Sequence, residues 1–162
     1  MTQKGRSHEQ IRLGCLGIID TLLQHHDSAE LLTGPNDGTR MISSFLTTEL
    51  VPLCLQVMMD GIEALKIPAT AILLKILLDE TGLTYICHTR ERQEAALGPL
   101  AILVEDVVQK QSIRLLKLVL QCYARLTDDR GYGEELFNVP IWIVDAVYTE
   151  REPSLRSVSL RS

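Results

Sequence analysis

Aromatic residues are scarce in this chain of 162 residues, which has one tryptophan, two phenylalanines and four tyrosines. Leucine, in contrast, fills 27 positions, against 10 for valine. Leucine is a strong helix former, whereas β-branched and aromatic side chains favour strands. The composition therefore predicts an all-α fold, and the length is that of one domain.

The sequence also lacks the motifs of common catalytic and cofactor sites. It contains no glycine-rich phosphate loop, no Gly-x-Ser-x-Gly turn and no His-Glu-x-x-His helix. The four cysteines show no Cys-x-x-Cys spacing, which argues against a zinc site and against a disulfide framework. We therefore expect a protein that is not an enzyme, has no cofactor and keeps its cysteines reduced inside the cell.

Two weak signals for a chemical site remain. His8, His25, His26 and Asp27 could bind a metal ion, and Cys87 with His88 could form a thiol–imidazole pair. Neighbouring residues of a helix do not face each other, however. We therefore interpret the histidines as a solvated helix end and Cys87 as a core residue, and we expect no metal site.

The chain has neither an excess of positive charge nor a long apolar run. Sixteen Lys and Arg residues oppose 21 Asp and Glu residues, which gives a net charge of −5. This balance argues against a general nucleic-acid-binding domain but leaves a local basic face open. No apolar run reaches the roughly 18 residues of a membrane helix, and no signal segment is recognisable. We expect no membrane association and a location in the cytoplasm or the nucleus.

Apolar residues at intervals of three and four predict several helices. In the first, Gly14 and Gly17 each cost about 1 kcal/mol against alanine, so we expect close backbone packing there. Thr48 is a candidate cap of the second helix, which Gly61 should end, and Pro68 marks the expected start of the third. The predicted helices cover residues 10–24, 49–60, 68–81, a segment broken at Gly98-Pro99, and 113–126.

Three segments of similar pattern, starting at Leu16, Ala71 and Leu116, indicate internal repeats. Without an insertion of about 14 residues, their spacing is roughly 40 to 45 residues, the period of armadillo and HEAT repeats. We therefore predict an armadillo-type right-handed superhelix of about three repeats over residues 9–146, with degenerate ends and a loop insertion around 25–40. Residues 1–8 are expected to be flexible and the Ser/Arg-rich tail, residues 147–162, disordered.

Basic residues recur in the two later repeats, where a solenoid could align them along one groove. They are His88, Arg90, Arg92, Arg114, Lys117 and Arg125. One interpretation is a solvated face, and another is a groove for an acidic peptide or for single-stranded nucleic acid. Binding of single-stranded nucleic acid usually also needs aromatic side chains on which bases stack, and only Tyr85 and Tyr123 lie nearby in the sequence.

Three blocks of the chain resemble the cell-differentiation (Rcd-type) family, the armadillo-repeat subunit of the CCR-NOT messenger-RNA deadenylase complex. They read FLTTELVPLCLQVM, ATAILLKILLDETGLTYICHTRER and SIRLLKLVLQCYARLTDD. The resemblance implies a non-catalytic adaptor that binds the NOT scaffold subunit and peptide segments of repressors. It also implies a role in messenger-RNA decay and translational repression, in the cytoplasm, including P-bodies, and in the nucleus.

The resemblance further implies a partner-binding groove at six positions: Gln10, Gly17, Pro68, Arg90, Arg92 and Arg114. Gly17, Arg92 and Arg114 match the family pattern, whereas the family has tyrosine, valine and tyrosine at Gln10, Pro68 and Arg90. An apolar anchor would lose aromatic packing of about 0.5–1.5 kcal/mol against Gln10 or Arg90.

Family members are expected to begin with about three further repeats before Glu9, so we interpret the chain as a divergent, shortened member. Two alternatives to the adaptor follow. One is an armadillo fragment that binds single-stranded nucleic acid through the basic groove, and the other is a degenerate paralogue that has lost the complex. An exposed end of the stack also favours a homodimer.

Overall fold

The computed structural model describes the backbone of residues 3–33 and 42–127, and the side chains of 8–23 and 42–127 except 108. Seven helices and no strand lie in these ranges. They are α1 (Gln3–Thr33), α2 (42–46), α3 (Leu50–Asp60), α4 (Glu63–Leu78), α5 (Glu80–Cys87), α6 (Arg90–Lys110) and α7 (Ile113–Leu126). The predicted all-α class is therefore confirmed.

The helices form two layers of a solenoid. The first layer contains α1, α4 and α7, because α4 packs against α1 on one side and α7 on the other. The second layer contains α3 and α6, which contact each other and pack on α4 and α7, respectively. The short α5 joins the layers through contacts with α4 and α6. The armadillo type and the superhelical hand stay predictions.

Helix α4 is the centre of this stack. It contacts α1, α3, α5 and α7, and its side chains are apolar on nearly every side. Its side chains Ile72, Leu73, Ile76 and Leu77 are fully buried. A helix that is apolar all round is stable only when neighbours cover every side of it. The core of the described stack is therefore organised around α4.

Two charged side chains of α4 connect it to its neighbours. Lys75 lies between α4 and α1, and its Nζ donates to the Asp20 carboxylate at 2.8 Å and to the Asp20 carbonyl at 2.9 Å. Lys66 is buried, and its Nζ donates to Oδ2 of Asp106 on α6 at 2.5 Å. Lys110 contacts the same carboxylate oxygen at 3.3 Å. These contacts fix α4 against both layers.

The predicted start of the third helix at Pro68 is wrong. Helix α4 begins at Glu63, with Ile62 as its N-cap, and Pro68 lies inside it. A proline in a helix leaves the carbonyl four residues earlier without its donor, which here is that of Ala64. Ala64 is exposed, so water can satisfy this carbonyl.

The end of this helix also differs from the expected one. Helix α4 ends at Leu78 and not just before Gly82. The reason is that the Asp79 carboxylate caps the next helix, α5, by accepting hydrogen bonds from the Thr81 and Gly82 amides. The segment predicted as one helix is therefore divided into two at Asp79.

The predicted break at Gly98-Pro99 is also wrong, since α6 runs without interruption from Arg90 to Lys110. Pro99 is buried, and the carbonyl it leaves without a donor belongs to the exposed Ala95. Leu100 and Leu103 follow it in the core. Packing of α6 between α3 and α7 therefore outweighs the local preference of the Gly-Pro pair.

Helix α1 is longer than expected. It continues through Thr33, so the predicted loop around 25–40 differs from the structure over residues 25–33, whereas 34–41 lie outside the described residues. The sequence AELL before Thr33 consists of strong helix formers, and the turn residues Gly34 and Pro35 come only afterwards. The tail, residues 147–162, also lies outside the described ranges.

Close backbone packing occurs at a glycine other than those expected. A Cβ at Gly14 or Gly17 would meet no atom within 4 Å, so the predicted tight contact is absent from the described part of α1. A Cβ at Gly82 would lie 1.9 Å from the carbonyl oxygen of Ile76. Gly82 is therefore required where α5 turns back against the end of α4.

Candidate protein-interaction surfaces

Four of the six groove positions lie on the first layer. Gln10 and Gly17 are exposed on α1, Pro68 is half-buried on α4, and Arg114 is exposed at the start of α7. In the stack, α4 lies between α1 and α7. These four positions are therefore at least partly accessible to solvent, and the groove itself stays a prediction.

The other two positions, Arg90 and Arg92, lie at the start of α6. Thr89 caps this helix, and its hydroxyl accepts a hydrogen bond from the Arg92 amide at 3.4 Å. Arg90 is exposed and its Nε donates to Glu94 one turn later, at 3.0 Å. Arg90 is therefore already bound to a carboxylate of its own helix.

Arg92 stacks on Tyr85 of α5. Its guanidinium carbon lies 3.9 Å from the centre of the tyrosine ring, and its Nη1 donates to the Tyr85 carbonyl at 3.3 Å. A cation held over a ring face in this way is attracted by the ring quadrupole. The pair forms one wall of an open concavity of about 520 Å³. The remaining walls come from Leu46, Glu80, Thr81, Thr84 and His88.

The predicted basic groove is largely neutralised inside the molecule. Arg125 donates through Nε to the Leu77 carbonyl at 2.9 Å and through Nη2 to the Glu80 carboxylate. Arg90 binds Glu94, and Arg92 covers the face of Tyr85 that a base could otherwise stack on. Arg114 and Lys117 are exposed on α7 and form no ion pair with a described residue. Arg114 and Lys117 are therefore candidate phosphate ligands among the described residues.

A second concavity, between α1 and α3, was missed by sequence reasoning. It has a volume of about 290 Å³ and mainly apolar walls. Its residues are Ile11, Arg12, Cys15, Leu16, Ile19, Leu50, Leu53, Cys54, Gln56, Val57 and Asp60. The available signal was the distribution of apolar residues around α1, which leaves Ile11, Ile18 and Leu22 exposed while Leu16 and Leu23 are buried.

The cysteines show no arrangement for chemistry among the described side chains. All four are free, with Cys54 and Cys122 buried, Cys87 half-buried and Cys15 exposed. Burial raises the pKa of the Cys54 thiol to about 12 and also raises the pKa of Cys122, so both thiols are protonated at neutral pH. His88, next to Cys87, is exposed.

Of the four residues weighed as metal ligands, His8 is exposed on α1, whereas the side chains of His25, His26 and Asp27 lie outside the described ones. Within the described ranges, no group of metal-ligating side chains occurs. The expectation that the chain has no metal site therefore stays a prediction.

Asp106 is the main electrostatic feature of the layer contact. The hydrogen bond from Lys66 is the largest cause that lowers the pKa of this carboxyl group, and Lys110 adds to it, against the effect of burial. The carboxylate is therefore charged at neutral pH.

None of the helices in the described ranges is long and apolar enough to span a bilayer.

Comparison with known proteins agrees with these observations. The profile of the family described as "Cell differentiation family, Rcd1-like" matches residues 1–149. The chain is 36% identical over 148 residues to "Cell differentiation protein rcd1" of Schizosaccharomyces pombe, which covers 91% of this chain and 48% of that protein. It is 41% identical over 129 residues to "Protein CAF40" of Saccharomyces cerevisiae, covering 79% and 32%, respectively.

The chain thus spans about half the length of the first relative and about a third of the second. The family match includes α1 to α7, and therefore both layers of the stack and all six predicted groove positions. The chain belongs to the Rcd1-like cell differentiation family.

Proposed function

We propose that this chain is a non-catalytic adaptor subunit of the CCR-NOT messenger-RNA deadenylase complex. It acts in messenger-RNA decay, translational repression and gene regulation by binding the NOT scaffold subunit and peptide segments of repressors. Its place of action is the cytoplasm, including P-bodies, and the nucleus. The observation that carries this proposal is the family match over residues 1–149.

The fold supports an adaptor rather than a catalyst. A solenoid buries its apolar faces between stacked repeats and leaves an extended surface for partners. Cys54 and Cys122 are buried core residues whose thiol pKa values are raised, so both are protonated at neutral pH. The described side chains also form two concavities with mainly apolar walls, beside Tyr85 and beside Leu53.

We assign peptide binding to the exposed positions of the first layer and to the adjoining Arg92–Tyr85 concavity. Gly17 has open space above its backbone, which lets a partner backbone approach α1 closely. Arg92 is held in place by Tyr85, so little side-chain freedom remains to be lost on binding. An acidic or carboxyl-bearing group of the peptide would meet the free edge of this guanidinium.

Titration calorimetry with the docking segment of the NOT scaffold tests whether this chain binds the scaffold. We expect saturable binding with a Kd of about 10 μM or lower. Absence of scaffold binding by folded protein would contradict the adaptor function for this chain.

Variants at two exposed glycines test the peptide-binding surface. Gly17→Lys should abolish association of a repressor peptide by filling the open space on α1. Gly98→Lys is the matched control, because Gly98 is also exposed and also has open space at its Cβ position. Equal loss of peptide binding in both variants would contradict the assignment to α1.

Single-stranded nucleic acid is the second candidate partner, favoured by the exposed Arg114 and Lys117 on α7. Such binding should weaken steeply with salt, because each phosphate contact releases counterions. Arg114→Glu should reduce the affinity and the salt slope together. Equal affinity of wild type and variant, or a flat salt response, would exclude this candidate.

A further inference from the structure

A short motif occurs twice in succession after residue 150. Residues 151–155 read REPSL and residues 156–160 read RSVSL. Each copy has an arginine three positions before a serine and a leucine directly after that serine. The family match ends at residue 149, so both copies lie outside the matched part of the chain. Packing of the family fold therefore does not explain them.

The motif has the pattern that arginine-directed serine/threonine kinases recognise. These kinases select substrates by charge pattern, with acidic side chains that bind an arginine three positions before the serine. An apolar pocket of the kinase takes the side chain that follows the serine. Ser154 and Ser159 meet both conditions. The disorder predicted for residues 147–162 agrees with this, because a kinase binds its substrate as an extended peptide.

Ser43 shows how the fold restricts such a site. It also follows an arginine, Arg40, by three positions, but the next residue is Ser44 and not an apolar one. Ser43 lies half-buried in α2, and its carbonyl accepts a hydrogen bond from the Thr47 amide at 3.2 Å. A serine held in a helix in this way is not presented as an extended peptide. Ser43 is therefore a control within the same chain.

Phosphorylation would reverse the charge of the segment that contains the motif. Over residues 150–162, three arginines oppose two glutamates. Each phosphoserine adds a charge of about −1.5 to −2 at pH 7, together with three acceptor oxygens. Two such groups make the segment acidic. It then becomes complementary to basic surfaces and is repelled by acidic ones.

Helix α7 carries a basic surface to which an acidic segment can bind. Arg114 and Lys117 are exposed, and positions three apart on a helix are neighbours on its surface. The helix contains no acidic residue, and neither side chain forms an ion pair with a described residue. Two adjacent cations match one phosphate group. Residues 128–153 lead from α7 to Ser154, and their extended reach of about 3.3 Å per residue exceeds the length of this 14-residue helix.

We propose that Ser154 and Ser159 are phosphorylated by an arginine-directed kinase, and that the phosphorylated segment binds Arg114 and Lys117 of its own chain. In the transfer, the serine Oγ forms a bond to the γ-phosphorus of ATP, the bond from this phosphorus to the bridging oxygen breaks, and ADP leaves. A carboxylate of the kinase accepts the hydroxyl proton. Phosphorylation thereby closes the α7 surface to other anionic partners. This inference is independent of the adaptor function, which depends on the family match.

Phosphopeptide mass spectrometry of the full chain isolated from its native cells tests the modification. We expect phosphate on Ser154 and Ser159 and none on Ser43. Arg151→Gln should lower the phosphate on Ser154 by about tenfold or more, since it removes the charge that the kinase binds. Glu152→Gln is the matched control, because it changes the neighbouring position and should leave Ser154 phosphorylated. Peptides of this segment found only without phosphate, or equal phosphate in both variants, would overturn the proposal.

Acetylation of lysines by sulfo-N-hydroxysuccinimide acetate tests the binding to α7. The full chain is first treated with MgATP and the catalytic subunit of cAMP-dependent protein kinase, an arginine-directed enzyme. Phosphorylation should slow acetylation of Lys117 by about two- to fivefold, the effect of an exposed ion pair, and high salt should remove this protection. Lys110 is the control, since it lies beside Asp106 and should react equally in both forms.

A variant without the two serines completes the test. Kinase treatment of the double variant Ser154→Ala, Ser159→Ala should leave the reactivity of Lys117 unchanged. Equal reactivity of Lys117 in the phosphorylated and unphosphorylated wild type would overturn the proposal. Protection that increases with protein concentration would also overturn it, because a second copy would then supply the phosphate.

Discussion

Lys66 brings a positive charge into the apolar contact between α4 and α6, where it is only 5% exposed. Its partner Asp106 is shared with the more exposed Lys110. Breaking a buried ion pair by removing one partner leaves an uncompensated charge, which is more costly than the pair itself is stabilising. A single carboxylate thus decides whether this part of the layer contact is stable.

We predict that Asp106→Asn lowers the free energy of unfolding by about 3 kcal/mol, because Lys66 then lacks its counter-charge. Urea denaturation measures this change. Glu94→Gln is the control, since its exposed pair with Arg90 should contribute only about 0–1 kcal/mol. Equal losses in the two variants would show that Lys66 does not depend on Asp106.

The same carboxylate predicts a dependence of stability on pH. The pKa of Asp106 is lower in the folded than in the unfolded chain, mainly because of the hydrogen bond from Lys66. Its contribution is therefore complete above the unfolded pKa of about 3.9 and is lost as pH falls through the lower folded value. Urea unfolding of wild type should weaken more steeply below about pH 4 than that of Asp106→Asn. Parallel curves would contradict the assignment.

Gly82 gives a further prediction at the residue scale. Gly82→Ala puts a Cβ 1.9 Å from the Ile76 carbonyl oxygen, so α5 must shift, at a cost of about 1–3 kcal/mol. Gly98→Ala meets open space inside α6 and should instead stabilise by up to about 1 kcal/mol. Thermal unfolding distinguishes the two. A Gly82→Ala protein as stable as wild type would show that the turn between α4 and α5 is looser than described.

At the scale of the element, α4 determines the arrangement of the layers, because helices of both layers pack on it. Its fully buried Leu77 is followed by the largely exposed Leu78. The two neighbouring leucines therefore provide a test substitution and its matched control. Leu77→Asp should destabilise the chain by on the order of 4 kcal/mol, since it buries an unpaired charge. Leu78→Asp should have little effect. Circular dichroism that shows equal helicity and melting for both would place the core elsewhere.

Helices with clear local signals were predicted well. The bounds of α7 agree with the expected residues 113–126, and Gly61 ends the helix after Asp60 as expected. Pro68 and Gly98-Pro99 misled the sequence reasoning because their local penalty is outweighed by burial of the surrounding leucines. Burial of this kind depends on which helices become neighbours, and no pattern within one helix reveals that.

For the candidate surfaces, too, the sequence predicted local features but not those that depend on how the helices pack. The sequence placed Gln10, Gly17, Pro68 and Arg114 at positions that the structure leaves at least partly exposed. It did not reveal that Arg92 stacks on Tyr85, because this contact depends on how α5 is oriented against α6. The groove between α1 and α3 likewise joins residues about 40 positions apart, such as Ile11 and Leu53.

At the scale of the whole molecule, the described helices form a stack whose interior is continuous from Leu16 to Leu126. The stack keeps exposed apolar groups at α1 and α3 and basic groups on α7. These exposed groups are the surfaces on which the proposed adaptor function depends. We propose that the chain uses these surfaces as an adaptor of the deadenylase complex.

Affinity purification of the tagged chain from its native cells, followed by mass spectrometry, tests this claim most directly. We predict recovery of the NOT scaffold and the deadenylase subunits, reduced to background for the unfolding variant Leu77→Asp and retained for Leu78→Asp. A well-expressed, folded bait that recovers neither would contradict the account, since the chain would then have kept the family's packing without its complex.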